Sequence, residues 1–175
     1  MKAMYMLLSA LFAFILPLSG SIPADYNNLE KPVSYEELAQ FLESIGERPE
    51  IEVQTAGTSA EGRKLFLVHF LNESEKPQTR IFLFAQQHGN EPAGKDALIY
   101  LIMSLADGDM KLPEGVDLWI MPMVNSDGAE KNQRRNAHDA DLNRDHVLLD
   151  QPETRVLHQS FRNIREPLLW SPDHP

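Results

Sequence analysis

At 175 residues the chain is sized for one domain with a single hydrophobic core. A formal net charge of −10 and a sequence pI near 5.0 exclude the concentrated basic surface that nucleic-acid binding requires. There is no cysteine, so disulfides and thiolate metal sites are excluded, and any metal must be held by histidine and carboxylate.

The chain opens with Lys2, an apolar stretch from Leu7 to Leu18, and small residues at Ser19, Gly20, Ser21 and Ala24. That order is the pattern of a cleavable secretory signal, and the stretch is too short to span a bilayer comfortably. It predicts a signal peptide over 1–24 and a domain over 25–175. It also predicts a secreted or periplasmic location and no stable membrane anchor after cleavage. The alternative is a retained anchor or a buried first helix.

Ser34 and Glu37 have the spacing of a capping box, flanked by Val33 and Leu38 as a hydrophobic staple. Leu38, Phe41, Leu42 and Ile45 share one face, which predicts a helix over Tyr35–Ile45 stopped at Gly46. Ile51–Thr55 reads as a strand, Gly57–Arg63 as a turn with a charge pair, and Leu65–Leu71 as a second strand. His69 in that strand reads as a packed or edge residue. Asn72–Thr79 is polar, contains Pro77 and reads as a hairpin loop.

Ile81–Ala85 is a short apolar run suited to a strand buried on both faces. Pro92 suits the first position of a helix, where its missing N–H is not needed. Leu98, Leu101, Ile102 and Leu105 then fall on one helical face. His88 and Glu91 lie between this strand and this helix. In an open α/β sheet that loop is where ligands bind, and imidazole nitrogen and carboxylate oxygen are both zinc ligands. The spacing alone is weak. Among 6 histidines and 26 acidic residues it arises by chance on the order of once per chain, and a surface loop histidine is the plain reading. His138-Asp139-Ala140-Asp141 is a possible decoy of the same kind.

Val116–Val124 reads as an apolar strand whose methionines fill the core, ending at a turn over Asn125-Ser126-Asp127-Gly128. Arg134-Arg135-Asn136 and Asp141-Leu142-Asn143-Arg144-Asp145 follow in a long segment with no helical or strand period. Such a segment in a small domain is functional or disordered. Its plain reading is a solvated loop of paired arginines and aspartates. Gln151–Arg165 is predicted as a helix with Leu157, Phe161 and Ile164 inward and Asp150 and Glu153 as its capping pair; Pro167–Trp170 is predicted as a strand.

Taken in order, the series resembles the zinc carboxypeptidases of the carboxypeptidase A type. The residues that carry the resemblance are His88-x-x-Glu91 after a strand, Asn125-x-Asp127-Gly128 after the next, a following arginine, and Asp141-Leu142-Asn143-Arg144. The turn Gly57-Thr58-Ser59-Ala60-Glu61-Gly62-Arg63 adds to it. The resemblance spans roughly Tyr35 to Leu169 and implies an α/β fold, a three-layer α/β/α sandwich with a central mixed sheet, incomplete at its C-terminal side. It implies one Zn²⁺ ion held by His88, Glu91 and a later histidine, for which His174 stands nearest, though without the family's Asp-x-His context. It implies that Asn143 and Arg144 bind the free carboxylate of the substrate and that Arg134 polarises the scissile carbonyl. A planar guanidinium suits both tasks because it donates paired hydrogen bonds and stays charged. Asp127 and Asp141 read as loop-holding residues.

No residue matches the family's substrate-capping tyrosine or its late general-base glutamate, so the chain reads as truncated after about the first two-thirds of the domain. The expected activity is zinc-dependent removal of a C-terminal residue from a peptide outside the cytoplasm, impaired in this chain. The alternatives are a zinc amidase or deacylase acting on N-acyl amino acids or cell-wall peptides, and a non-catalytic remnant. The substrate in either enzymatic case is a peptide or acyl-amino acid with a free carboxylate.

Overall fold

A computed structural model describes residues 31–71 and 79–165. The signal-like segment, the predicted strand Pro167–Trp170, His174 and most of the polar loop after Leu71 lie outside the described residues.

Helix α1 covers Tyr35–Ile45, as its capping box dictates. The Ser34 hydroxyl accepts the Glu37 backbone N–H, and the Glu37 carboxylate accepts the Ser34 backbone N–H at 2.7 Å. The hydroxyl and N–H of Ser34 hold the Glu37 carboxyl below its usual range. Leu38, Phe41, Leu42 and Ile45 are buried, and Gly46 closes the last turn.

Four strands form one sheet: β1 (Ile51–Thr58), β2 (Lys64–Phe70), β3 (Thr79–Phe84) and β4 (Val116–Met121), in the order β1-β2-β4-β3. β1–β2 and β2–β4 are antiparallel, whereas β3–β4 is parallel. The predicted hairpin between β2 and β3 is therefore not formed. Helix α2 (Ala93–Ala106) carries the chain from β3 back to the start of β4, and β4 inserts between β2 and β3. Parallel neighbours need such a crossover helix.

Side-chain alternation separates two cores. Val68, Phe70, Leu118 and Ile120 face α1 and α2, where they meet Leu42, Ile45, Ile99 and Ile102. Leu67 and Met121 face the other way, toward Leu142 and Leu157 of helix α4 (Pro152–Arg165). The result is the expected α/β/α sandwich.

Three expectations about faces are corrected. β3 is an edge of the described sheet and none of its residues is fully buried, so it is not the doubly covered strand that its apolar run predicts. The buried face of α2 runs through Lys95, Ile99, Ile102 and Ala106; Leu98, Leu101 and Leu105 are only partly buried beside it. That face is turned by one residue because Lys95 is drawn inward, where its ammonium donates to the Val33 carbonyl and pairs with Asp96. Burial lowers the Lys95 pKa. Phe161 is exposed, while Leu157 and Ile164 of α4 are inward.

His69 is packed, as expected, stacking on Trp119 with ring centroids 3.6 Å apart and meeting Asp117 Oδ1 through Nε2 at 2.6 Å. Asp117 lies at the start of β4, at the opposite sheet end from His88. Among the described residues no helix is long and apolar enough to cross a membrane.

The rotated face of α2 makes a measurable contrast. Ile99→Ala should lose about 2–5 kcal/mol of unfolding free energy, the usual range for a fully buried large aliphatic. Leu98→Ala should lose about half as much or less, because its side chain is already partly solvated. Urea unfolding of both variants, followed by circular dichroism, checks this order.

Candidate active site

β3 and β4 stay joined beyond their last paired residues. Ala85 N–H donates to the Met121 carbonyl at 3.1 Å, Val124 N–H to Ala85 at 3.0 Å, and Asn125 N–H to Gln86 at 3.0 Å. Gln86 sits at φ 53° and donates its side-chain amide to the Gly89 carbonyl at 2.8 Å. A non-glycine residue in the left-handed region is strained and persists where surrounding bonds over-determine it.

The predicted turn at Asn125–Gly128 is instead the start of a short helix, α3 (Ser126–Glu130), capped by Asn125. Asn125 is fully buried. Its Oδ1 accepts from Gly128 N–H at 2.9 Å, and its Nδ2 donates to the carbonyls of Gln87 and Arg134, each at 3.2 Å. One side chain thus ties the histidine loop, the start of α3 and the arginine segment together. Gly89 lies directly on Gly128: a Cβ added at residue 89 would stand 2.1 Å from the Gly128 carbonyl carbon.

This scaffold brings His88, Glu91, Arg134 and Asp141 into one cluster. His88 is buried, with Nδ1 3.2 Å from Glu91 Oε2 and Nε2 3.1 Å from Asp141 Oδ1. Arg134 Nη1 donates to Glu91 Oε1 at 2.9 Å, and its Nη2 lies 3.3 Å from Asp141 Oδ2. Partial burial would raise the Asp141 pKa. Hydrogen bonds from His88 and from the Asn143 backbone, together with the Arg134 charge, overcome this and hold it below the usual value.

Asn143 and Arg144 occupy a 3₁₀ turn, Leu142–Arg144, that Asp141 caps by accepting the Asn143 N–H at 3.0 Å. Both are exposed, and the Arg144 guanidinium donates to the Asn143 carbonyl at 3.1 Å. The predicted site residues other than His174 therefore gather around one sheet end, with the arginine of the turn facing solvent. Asp141 is more than the loop-holding residue that its sequence context suggests. Its position two residues before Asn143 is the available signal. His138 stays out of the cluster, its Nδ1 meeting Gln151 Oε1 at 3.0 Å.

The arrangement can be tested for zinc. With Nε2 against Asp141, the other ring nitrogen of His88, Nδ1, faces the Glu91 oxygen. Two ligand atoms of a tetrahedral zinc with bonds near 2.0–2.1 Å stand roughly 3.3 Å apart, and here the separation is 3.2 Å. A carboxylate on the far ring nitrogen is the usual support for a metal-binding histidine. The pair fits the ion. Among the described residues no third histidine or carboxylate completes a metal-holding group.

Two networks surround the cluster; the first bears out Asp127 as a loop-holding residue, and the second escapes sequence reasoning. Asp127 is fully buried and accepts from Ser59 Oγ at 2.8 Å, Glu61 N–H at 2.9 Å and Arg63 Nη1 at 2.7 Å, which joins the Gly57–Arg63 turn to α3. Gln87, next to His88, contacts His146 Nε2 at 3.0 Å, and His146 Nδ1 lies 3.0 Å from His158 Nε2 on α4. Burial, followed by the nearby His146 and Arg162, lowers the His158 pKa against the opposing pull of Asp145.

Two outcomes are expected. Gly89→Ala should cost about 3 kcal/mol or more of stability, at or beyond the upper end of overpacking penalties, because backbone rather than a flexible side chain blocks the methyl; chemical unfolding measures it. For His158 the folded pKa is below the unfolded value near 6.5, so the unfolded state binds more protons as the solution acidifies. Stability contributed by the neutral imidazole is present above about pH 6.5 and is lost as pH falls toward the folded pKa. His158→Gln should therefore lose less stability than the unsubstituted chain as pH falls below about 6.5, read from denaturation midpoints over that descent.

Comparison with known proteins gives the family and the fold. A family model described as zinc carboxypeptidase matches residues 38–165. Carboxypeptidase 2 of Trichophyton tonsurans is 37% identical over 112 residues, covering 59% of this chain and 21% of its own length. Carboxypeptidase D of Mus musculus is 30% identical over 145 residues, covering 71% of this chain and 10% of its own length. The chain thus spans about a fifth or less of these curated relatives. A crystal structure of a metallo-carboxypeptidase from Burkholderia cenocepacia superposes with a TM-score of 0.66 at 27% identity, over 76% of this chain and 39% of that one. The structure of thrombin activatable fibrinolysis inhibitor shares the fold at a TM-score of 0.71 and 20% identity, over 86% of this chain and 47% of that one. On the family match over residues 38–165, the chain belongs to the zinc carboxypeptidase family.

Proposed function

We propose that this chain carries the metal-binding and carboxylate-binding elements of a zinc carboxypeptidase that removes a C-terminal residue from peptides outside the cytoplasm. The observation that carries the reading is the pair of donor atoms on His88 and Glu91, 3.2 Å apart, with Asp141 on the far nitrogen of the same ring. The signal-like N-terminus supports the location. Family membership supports a peptide substrate with a free C-terminus.

In this reading His88 Nδ1 and the Glu91 carboxylate hold one Zn²⁺, and His174 is the candidate third ligand. The ion supplies Lewis acidity toward the scissile carbonyl. Asp141 keeps the His88 proton on Nε2 and so keeps Nδ1 available. Asn143 and Arg144 receive the substrate carboxylate, for which an exposed guanidinium with one backbone contact is free to turn. Arg134 stands beside Glu91, so its charge is next to the carbonyl oxygen on which negative charge develops. Turnover by this chain depends on a third donor from outside the described residues.

Isothermal titration of the purified chain with zinc should give one equivalent that is lost in His88→Ala and retained in His138→Ala. Binding that is unchanged in His88→Ala, or absent altogether, would refute the metal assignment. On peptides with a free C-terminus, Arg144→Ala should raise KM by roughly 10–100-fold, the scale of one hydrogen-bonded charge contact. C-terminally amidated peptides should be poor substrates for the unsubstituted chain. Faster cleavage of N-acyl amino acids than of peptides would favour the amidase reading instead.

A further inference from the structure

Glu153 is fully buried in the first turn of α4, and among the described residues it has no ion-pair partner. The sequence places it as half of a helix cap, which it is not. Asp145 instead receives the N–H groups of Asp150 and Gln151, both at 2.9 Å. The Glu153 carboxylate accepts from Ala60 N–H through Oε1 at 3.0 Å and from Asn136 Nδ2 through Oε2 at 3.0 Å. Both partners are donors, so only an acceptor-only group satisfies the two contacts together.

Asn136 is equally buried and uses its whole amide. Nδ2 donates to Glu153 and to Gln151 Oε1, while Oδ1 accepts the N–H groups of His138 at 3.1 Å and Ala140 at 3.0 Å. Its backbone N–H donates to the Ala140 carbonyl at 3.0 Å and its carbonyl accepts from Asp139 N–H at 3.0 Å. These bonds close the chain between Arg134 and Asp141 into a compact loop, with Asp139 at φ 57°. The separation of Arg134 from Asp141 is thereby set by which way the Asn136 amide points. Glu153 helps to fix that direction, with Gln151 Oε1 on the same side and the His138 and Ala140 N–H groups on the other, because acceptors on one side of the amide turn its oxygen to the opposite side.

We propose that Glu153 is a positioning residue for Arg134 and Asp141, acting through Asn136. It rests on the reading of His88, Arg134 and Asp141 as site residues. Among the described residues the carboxylate's hydrogen bonds go to Ala60 and Asn136 and not to the His88 cluster. Its effect reaches the imidazole through the Asn136 amide, the loop and the Asp141 carboxylate.

The test reads His88 directly, without metal or substrate. Nitrogen-15 spectra of the imidazoles in the purified chain, assigned with His88→Gln, report the contact of Nε2 with Asp141. Glu153→Gln puts an N–H against one of two N–H donors and should displace the His88 Nε2 signal. The exchanged pair Asn136→Asp with Glu153→Gln restores the contact with its direction reversed. The amide introduced at position 153 would donate to the new carboxylate and accept from Ala60, Gln151 would turn its own amide to donate to that carboxylate in place of accepting from Asn136, and the His88 signal should return to its original position. Ser34→Ala, which loosens α1, should lower the thermal midpoint without moving that signal, and so separates positioning from general stability.

An unmoved His88 signal in folded Glu153→Gln overturns the proposal, as does an exchanged chain that folds with the signal still displaced. Should Glu153→Gln alone not fold, the exchanged chain decides. A folded exchanged chain with the original signal supports the proposal, and failure of both to fold overturns it. A chain that shows the displacement and its rescue yet binds no zinc keeps the positioning role and refutes the metal reading instead.

Discussion

The candidate site depends on one constraint: two parallel strands that leave the sheet side by side and do not separate. The bonds of Ala85, Val124 and Asn125 carry the β3–β4 pairing past the end of both strands and into the loops. Asn125 then turns that backbone contact into a three-way junction by bonding to Gln87, Gly128 and Arg134. His88 gains its orientation from this junction. A neutral amide suits the position because it presents donors to two carbonyls and an acceptor to one N–H, the inventory the three segments leave unmatched.

The segment from Lys131 to Asp150 has no long regular element, yet it is ordered by buried polar side chains in place of a hydrophobic stripe. Asn125, Asn136, Asp145 and Glu153 are all buried and each accepts or donates several bonds, backbone groups among their partners. Backbone polar groups removed from water must be paired, and in irregular chain the pairing falls to side chains. An acidic protein gains from this use of its carboxylates, because hydrogen bonds from N–H groups stabilise the charged form without a cation. Arg134 and Arg144 are thereby left on the surface of the segment.

Much of the fold is legible from local pattern. The capping box of Ser34 and Glu37 places α1, and the alternation of Phe66, Val68 and Phe70 places β2 with its faces. Topology is not legible in the same way. A polar loop with a proline reads as a hairpin, and nothing local shows that β4 enters between β2 and β3. The face of α2 escapes the apolar pattern because a lysine counts there as solvated, whereas Lys95 reaches the Val33 carbonyl from inside the fold. His88, Glu91, Arg134, Asn143 and Arg144 stand out by their order along the chain. The roles of Asn136, Asp145 and Glu153 stay hidden because a polar residue in an aperiodic stretch looks the same whether it is solvated or anchors a loop.

Leu142 stands between two exposed site residues and Asp141, yet it is fully buried against Leu157, Met121 and Val124. The 3₁₀ turn is therefore a polar face mounted on an apolar pin driven into the layer beneath α4. The height at which the guanidinium of residue 144 stands above the sheet is set by the girth of aliphatic side chains on the far side of that pin. The placement of that guanidinium can therefore drift through interior substitutions on α4 while every polar residue at the surface stays the same.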